Sequence, residues 1–163
     1  MKSRVAFLAS LALAGCGGSE PAADSEAKVS ATSAPKACDV VTQADAATAL
    51  GHEVQKLDAS GGAAGLDICQ FGYQGERMMD TGNASVTIHP VELASLQRGV
   101  FGEGYSMEAV PGLGDEAFWS KEAGLYVGKG NRSAIYLAAV GCDDDAKNKE
   151  RAIALAKATV SRL

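Results

Sequence analysis

The sequence predicts one α+β domain over residues 37–163: a single antiparallel sheet of about five strands with N-terminal, middle and C-terminal helices packed on a face of it. Three observations predict it. Residues 84–89, ASVTIH, alternate Val86 and Ile88 with Ser85 and Thr87, the period of a half-buried strand. Glycines at 112, 114, 128 and 130 separate short apolar runs, and short turns between neighbouring strands imply antiparallel pairing. The closing stretch, 143–163, sets Ile153, Ala156, Val160 and Leu163 on one helical face.

Taken in order, Thr42 and Asp45 make a capping box with Asp in place of the usual Glu. Gly51 ends the short helix that Ala46, Ala47, Ala49 and Leu50 fill. A glycine-rich loop over 60–65 leads to DICQFGYQ, where Ile68, Gln70, Phe71 and Tyr73 suit a strand. After the ASVTIH strand, Pro90 is placed in the first turn of a helix that carries Leu93, Leu96 and Val100. In VPGLGDEAFW, Gly112 and Gly114 flank Leu113 in a turn, and residues 116–120 leave it as a strand. Residues 125–127 and 134–140 supply two more strands, with Gly128, Gly130 and Asn131 as their hairpin. The last helix starts among Asp143, Asp144 and Asp145 and ends beside Arg162, charges that suit its dipole.

The first sixteen residues carry the sharpest functional signal. Lys2 and Arg4 precede an apolar run from Val5 to Leu13, broken only by Ser10, which is too short to span a bilayer as a mature helix. It ends in Leu13, Ala14, Gly15 and Cys16, which resembles a bacterial lipobox. That resemblance implies a signal peptide over 1–15, a diacylglycerol on the Cys16 thiol, cleavage before Cys16 and acylation of the new amine. Several acyl chains, at about 0.8 kcal/mol per buried methylene, make attachment effectively permanent. Gly17, in place of an Asp, favours the outer membrane where a cell has one. After Cys16, the chain to Lys36 is almost entirely Gly, Ser, Ala, Pro, Glu, Asp and Lys with almost nothing to bury, so residues 16–36 read as a lipidated cysteine and a flexible tether.

A chain of 163 residues less a 15-residue leader leaves 148, enough for one compact domain. Loss of Lys2 and Arg4 takes the basic count from 15 to 13 against 20 acidic residues, a net charge of −7. Such a balance argues against nucleic acid and anionic headgroups as partners. The membrane is then reached only through the lipid on Cys16, and the location is the extracytoplasmic or periplasmic side of the cell envelope.

With Cys16 assigned to lipid, Cys38, Cys69 and Cys142 remain in an oxidising compartment, an odd number. A bridge between Cys38, just before the first helix, and Cys69, within the first strand, would clamp helix to sheet and contribute about 3 to 4 kcal/mol. CDVVT at 38–42, the helix closing on Leu50 and Gly51, Cys69 two residues before Phe71, GLGDEA at 112–117 and the final helix together resemble a family of small bacterial lipoproteins abundant in mycobacteria and their relatives. That family is known only as a domain of unknown function. The resemblance spans about 125 residues. It implies a Cys38–Cys69 disulfide, while Cys142, which departs from the pattern, leaves a rival pairing or a free thiol open. It implies no catalytic residues, and a non-enzymatic role in binding or sensing, similar to kinase sensor domains.

The residues themselves offer little chemistry. Asp115 and Glu116 are adjacent carboxylates, but strand neighbours point to opposite faces, and a turn accounts for them. Asp143, Asp144 and Asp145 lack the glycine and distal Glu of a calcium loop. His52 and His89 have no ligand spacing with Cys38 or Cys69. No Gly-x-Ser-x-Gly marks a nucleophile, and GGAAG at 61–65 lacks the Lys of a phosphate loop. Trp119, Tyr126 and Tyr136 read as core rather than a ligand groove. No catalytic, metal or cofactor site is therefore expected. Two functions follow: a lipid-anchored, non-enzymatic module that binds, senses or docks an envelope protein or small ligand, and, as the alternative, an envelope hydrolase or carrier whose site assembles from distant residues such as His89, Asp115 and Glu116. Convergence of those three in one pocket would favour the second.

Overall fold

A computed structural model describes residues 35–57, 66–77, 79–100 and 106–163. The leader, Cys16, nearly all of the tether and the glycine-rich stretch 60–65 lie outside the described residues. The element order is α1 (Ala37–Val40), α2 (Gln43–Leu50), β1 (Gln55–Leu57), β2 (Asp67–Gln74), β3 (Thr81–His89), α3 (Leu93–Val100), β4 (Glu108–Ala109), β5 (Glu116–Ser120), β6 (Gly124–Lys129), β7 (Arg132–Val140) and α4 (Asp145–Thr159), closed by a 3-10 turn, Val160–Arg162. The strands form one antiparallel sheet in the order β1-β2-β3-β7-β6-β5-β4. The α+β class and the antiparallel sheet agree with the sequence reading, but the sheet has seven strands, not about five. The additions, β1 and β4, are edge strands of three and two exposed residues, too short to display a period.

Alternation along each strand sorts the side chains onto two faces. Phe71, Val86, Leu125, Val127, Tyr136 and Ala138 point to the face covered by α1, α2 and α4 and make the main core. Between them, Tyr126 points the other way, where Leu93 and Leu96 of α3 pack on it beside Phe118, Ala123 and Ile135. The middle helix therefore lies on the second face, not with the other two as the sequence suggested. Pro90 is also displaced from the expected helical turn: it sits in a bend, and α3 begins at Leu93. In α4 the buried stripe is Ala152, Leu155, Ala156 and Thr159, with Leu163 beyond it, while Ile153 and Val160 are only half-buried. The predicted face is thus rotated, because two alanines let the helix approach the sheet more closely than a branched side chain would.

Local signals hold where they are complete within a few residues. The Thr42 hydroxyl accepts from the Asp45 amide while the Asp45 carboxylate accepts from the Thr42 amide at 2.9 Å, a reciprocal capping box. Gly51 ends α2 at φ 72°, in the left-handed region that glycine tolerates. Asp144 caps α4 by accepting from the Lys147 amide at 2.9 Å. The chain end is gripped by the β6–β7 hairpin, whose Lys129 Nζ donates to the Val160 and Ser161 carbonyls at 2.9 Å.

Asp45 joins the two ends of the fold, because Arg162 donates to its carboxylate at 2.6 Å. Burial acts to raise its pKa, but the hydrogen bonds from Thr42 and Arg162 outweigh it and hold the carboxyl below the ordinary value. Stability from this group is therefore complete above about pH 4 and is lost as pH falls through the lowered pKa. Urea unfolding across a pH series should show Asp45→Asn less stable than the parent near neutrality, with the gap closing in acid. Thr42→Ala should lower stability by about 1 kcal/mol.

Candidate functional site

A groove of about 1130 Å³ opens where α2, β1 and the far end of the β2–β3 hairpin meet. Gln43, Ala44 and Ala47 of α2 form one wall, Gln55 and Leu57 of β1 another, and Tyr73, Gln74 and Thr81 close the end. The sequence builds it from local parts. The capping box sets the start of α2, and Gln43 Nε2 donates to the Val54 carbonyl at 2.6 Å, which ties the chain entering β1 to the helix. Tyr73 stands opposite Gly82 across the β2–β3 ladder. A Cβ on Gly82 would come within 2.2 Å of Tyr73 Cε1, so the ring needs glycine beneath it. On its other side the ring stacks on His52, with centroids 4.1 Å apart.

The Tyr73 hydroxyl is buried and, among the described residues, has no hydrogen-bond partner. Burial and then the charge of Asp80 push its pKa up, so it stays a neutral donor. Glu53 alone carries a charge among the described lining residues; carboxamides, hydroxyls and small apolar side chains make up the rest. The exposed carboxamides of Gln43, Gln55 and Gln74, with the Thr81 hydroxyl, can hydrogen-bond a neutral polar ligand or a peptide backbone. A second, smaller groove of about 310 Å³ lies between α2 and α4, with Ala49, Ala154 and Ala158 in its walls and Glu150 and Arg151 at its rim.

The structure distributes the residues proposed for chemistry rather than gathering them. The Asp115 carboxylate accepts from the Gly130 amide at 2.6 Å and so braces the β6–β7 hairpin. Glu116, Gly128, Ser133 and His89 occupy one row across β5, β6, β7 and β3. Glu116 and His89 are thus three strand spacings apart, about 14 Å. Neither groove includes His89, Asp115 or Glu116. Asp143 pairs with Arg151 and Lys147, and Asp145 with Lys121 at 2.7 Å. Among the described residues no cluster of His, Cys, Asp or Glu could hold a metal ion. Tyr126 and Tyr136 are buried on opposite faces and Trp119 is half-buried, so the three line no common groove. Thr159 donates to the Leu155 carbonyl at 2.9 Å and stands 3.3 Å from the Tyr136 hydroxyl, which donates to it.

Cys38 and Cys69 are disulfide-bonded, with Cα atoms 5.0 Å apart, and Cys142 is free and exposed in the turn after β7. The bridge fastens α1 to β2, alongside a 2.9 Å hydrogen bond from the Ala37 amide to Asp67. Cys16 lies outside the described residues. Among the described residues no helix is long and apolar enough to cross a membrane. Comparison with protein-family models, with curated proteins and with solved structures found no match.

Sequence reasoning passed over Tyr73, Gln43, Gln55 and Gln74, the polar lining of the larger groove. Tyr73 shows only as one more strand aromatic, and the glutamines belong to three elements that meet through tertiary contacts. Gly82 was the available signal, since a glycine inside a strand marks a close approach.

Peptide mapping without reductant should recover the Cys38–Cys69 pair, with Cys142 alkylated after unfolding. Replacing both paired cysteines by Ser should cost about 3 to 4 kcal/mol in chemical denaturation. Asp115→Ala should cost about 1 kcal/mol by the same measurement, the worth of one hydrogen bond that orders a turn.

Proposed function

We propose that the chain is a lipid-anchored lipoprotein of the cell envelope, held on the membrane through Cys16, whose domain binds, senses or docks a partner without catalysing a reaction. The observation that carries this reading is the border Leu13-Ala14-Gly15-Cys16 after a basic and apolar leader. The pattern CDVVT, Cys69 and GLGDEA, similar to small envelope lipoproteins of unknown function, supports the same reading, as does the bond between Cys38 and Cys69, which belongs to an oxidising compartment.

Geometry supports binding over catalysis in two ways. Asp115, Asp143 and Asp145 each have a structural partner, His52 stacks on Tyr73, and His89 and Glu116 stand too far apart to share a substrate atom. The larger groove, by contrast, presents uncharged hydrogen-bonding groups to solvent, which is what recognition of a neutral envelope ligand or an extended peptide needs.

Intact-mass analysis of the protein from its native cell should show a chain that begins at acylated Cys16, and Cys16→Ser should accumulate the uncleaved precursor. A mature chain with another N-terminus and no acyl mass would overturn the anchoring. In a deletion strain, Ala44→Trp, which fills the larger groove from an exposed position, should fail to complement, while Glu116→Gln should complement fully. Loss of function in a stable, anchored Glu116→Gln protein would favour the enzyme.

A further inference from the structure

The ladder between β1 and β2 stops before the groove beside α2 does. Its partners run Leu57–Gln70, Lys56–Phe71 and Gln55–Gly72, a register that continued would bring Glu53 opposite Gln74. It does not continue: the Val54 carbonyl accepts from Gln43 Nε2 of α2 at 2.6 Å, and among the described residues no backbone bond joins Glu53 to Gln74. The chain leaves the sheet edge for the helix, and Glu53, Val54, Tyr73 and Gln74 line the space it vacates.

Gln74 turns its backbone into that space. Gly75 donates to the Asp80 carbonyl at 2.6 Å, and Gly141 donates to the Thr81 carbonyl at 2.7 Å. Bonded and non-bonded pairs alternate along an antiparallel ladder, so Tyr73–Gly82 is a bonded pair like Gly75–Asp80, and Gln74–Thr81 between them is not. The Thr81 carbonyl, turned towards β7, agrees with that. The N–H and C=O of Gln74 therefore point away from β3 and out of the sheet edge, with no strand partner among the described residues. Such an edge is a template for one more strand.

On the reading of this groove as the binding site, we propose that it takes an extended peptide carrying a Lys or Arg side chain, which pairs with the Gln74 backbone in line with β1 and sets its cation against Glu53. Main-chain hydrogen bonds supply the hold in strand addition, and the flanking walls select side chains. Glu53 is exposed, is the one charge among the described lining residues, and has no ion-pair partner among the described residues. A glycan fits less well, because the one aromatic ring in the lining offers it no face: His52 stacks on one side of Tyr73 and Gly82 lies against the other.

NMR titration of the full chain with the peptide acetyl-Thr-Val-Lys-Val-Thr-amide tests this. The Gln74 amide should shift and become protected from exchange, and the Gln43 and Gln55 carboxamides should shift with it. Glu in place of the peptide's Lys should weaken binding about tenfold, and Glu53→Gln should weaken the Lys peptide about fivefold while removing most of its advantage over the Glu peptide. N-methylation should abolish binding at alternate peptide amides only, since an added strand uses every second one. Gln74→Pro, which removes the outward N–H and leaves the ladder to β3 intact, should abolish binding, whereas Gln74→Ala should keep it. Should Gln74→Pro fail to fold, the N-methyl series on the parent chain decides. A peptide that moves no groove resonance, or one indifferent to the exchange of Lys for Glu or to N-methylation, would overturn the proposal. So would a Gln74 amide already protected before peptide is added, whether the chain itself fills the place or, with protection rising with protein concentration, a second copy does. Chitotetraose that moves the groove resonances where the peptide does not would overturn the peptide and leave the groove as a binding site, which the Ala44→Trp complementation tests separately.

Discussion

β3 and β7 hold the two halves of this sheet together, and the rest of the structure depends on their ladder. The chain makes one meander from β1 to β3 and a second from β4 to β7, each joined by short-range antiparallel pairing. The partners from Gly82–Val140 to His89–Ser133 unite them, although they are distant in sequence. Because side chains alternate, this register decides which residues become neighbours, and a slip of one position would send Ala84 and Val86 to the opposite face. It also sets Ala84 and Ala138 side by side beneath the helices, so that α2 and α4 can settle on the middle of the sheet.

Around that ladder the ties run from the chain ends inward. The Cys38–Cys69 bond fastens α1 to β2, Arg162 reaches Asp45 at the start of α2, and Lys129 holds the carbonyls of the closing turn. The first face is thereby braced covalently, by charge and by packing. On the second face, among the described residues, Leu93 and Leu96 of α3 pack on Tyr126, and Ser133 donates to the Val91 carbonyl.

The groove beside α2 shows how much of a candidate site a linear reading can reach. Asp115 was legible as a turn residue and Asp144 as part of a helix start, because Asp144 acts on backbone three positions away and Asp115 on the neighbouring hairpin, whereas the ion pair of Asp145 with Lys121 was not. The Tyr73 pocket was not, because Gln43, Gln55, Tyr73 and Thr81 share no period and come together only when β1 adds to the edge of β2.

By itself the sequence determined what short-range physics controls: the capping box at Thr42 and Asp45, the stop at Gly51, the strand at 116–120, the acidic cap of α4 and the antiparallel sense of the sheet. These need only neighbouring residues to satisfy backbone groups or alternate across a pleat. Tertiary structure alone decided that β1 and β4 extend the sheet to seven strands, that α3 crosses to the second face, and that α4 buries Ala152 beside the expected Ala156 while Ile153 and Val160, the more apolar choices, stay half-buried. Each of these depends on how closely two distant surfaces approach, and closeness is a property of the space between elements that no residue carries in its own identity.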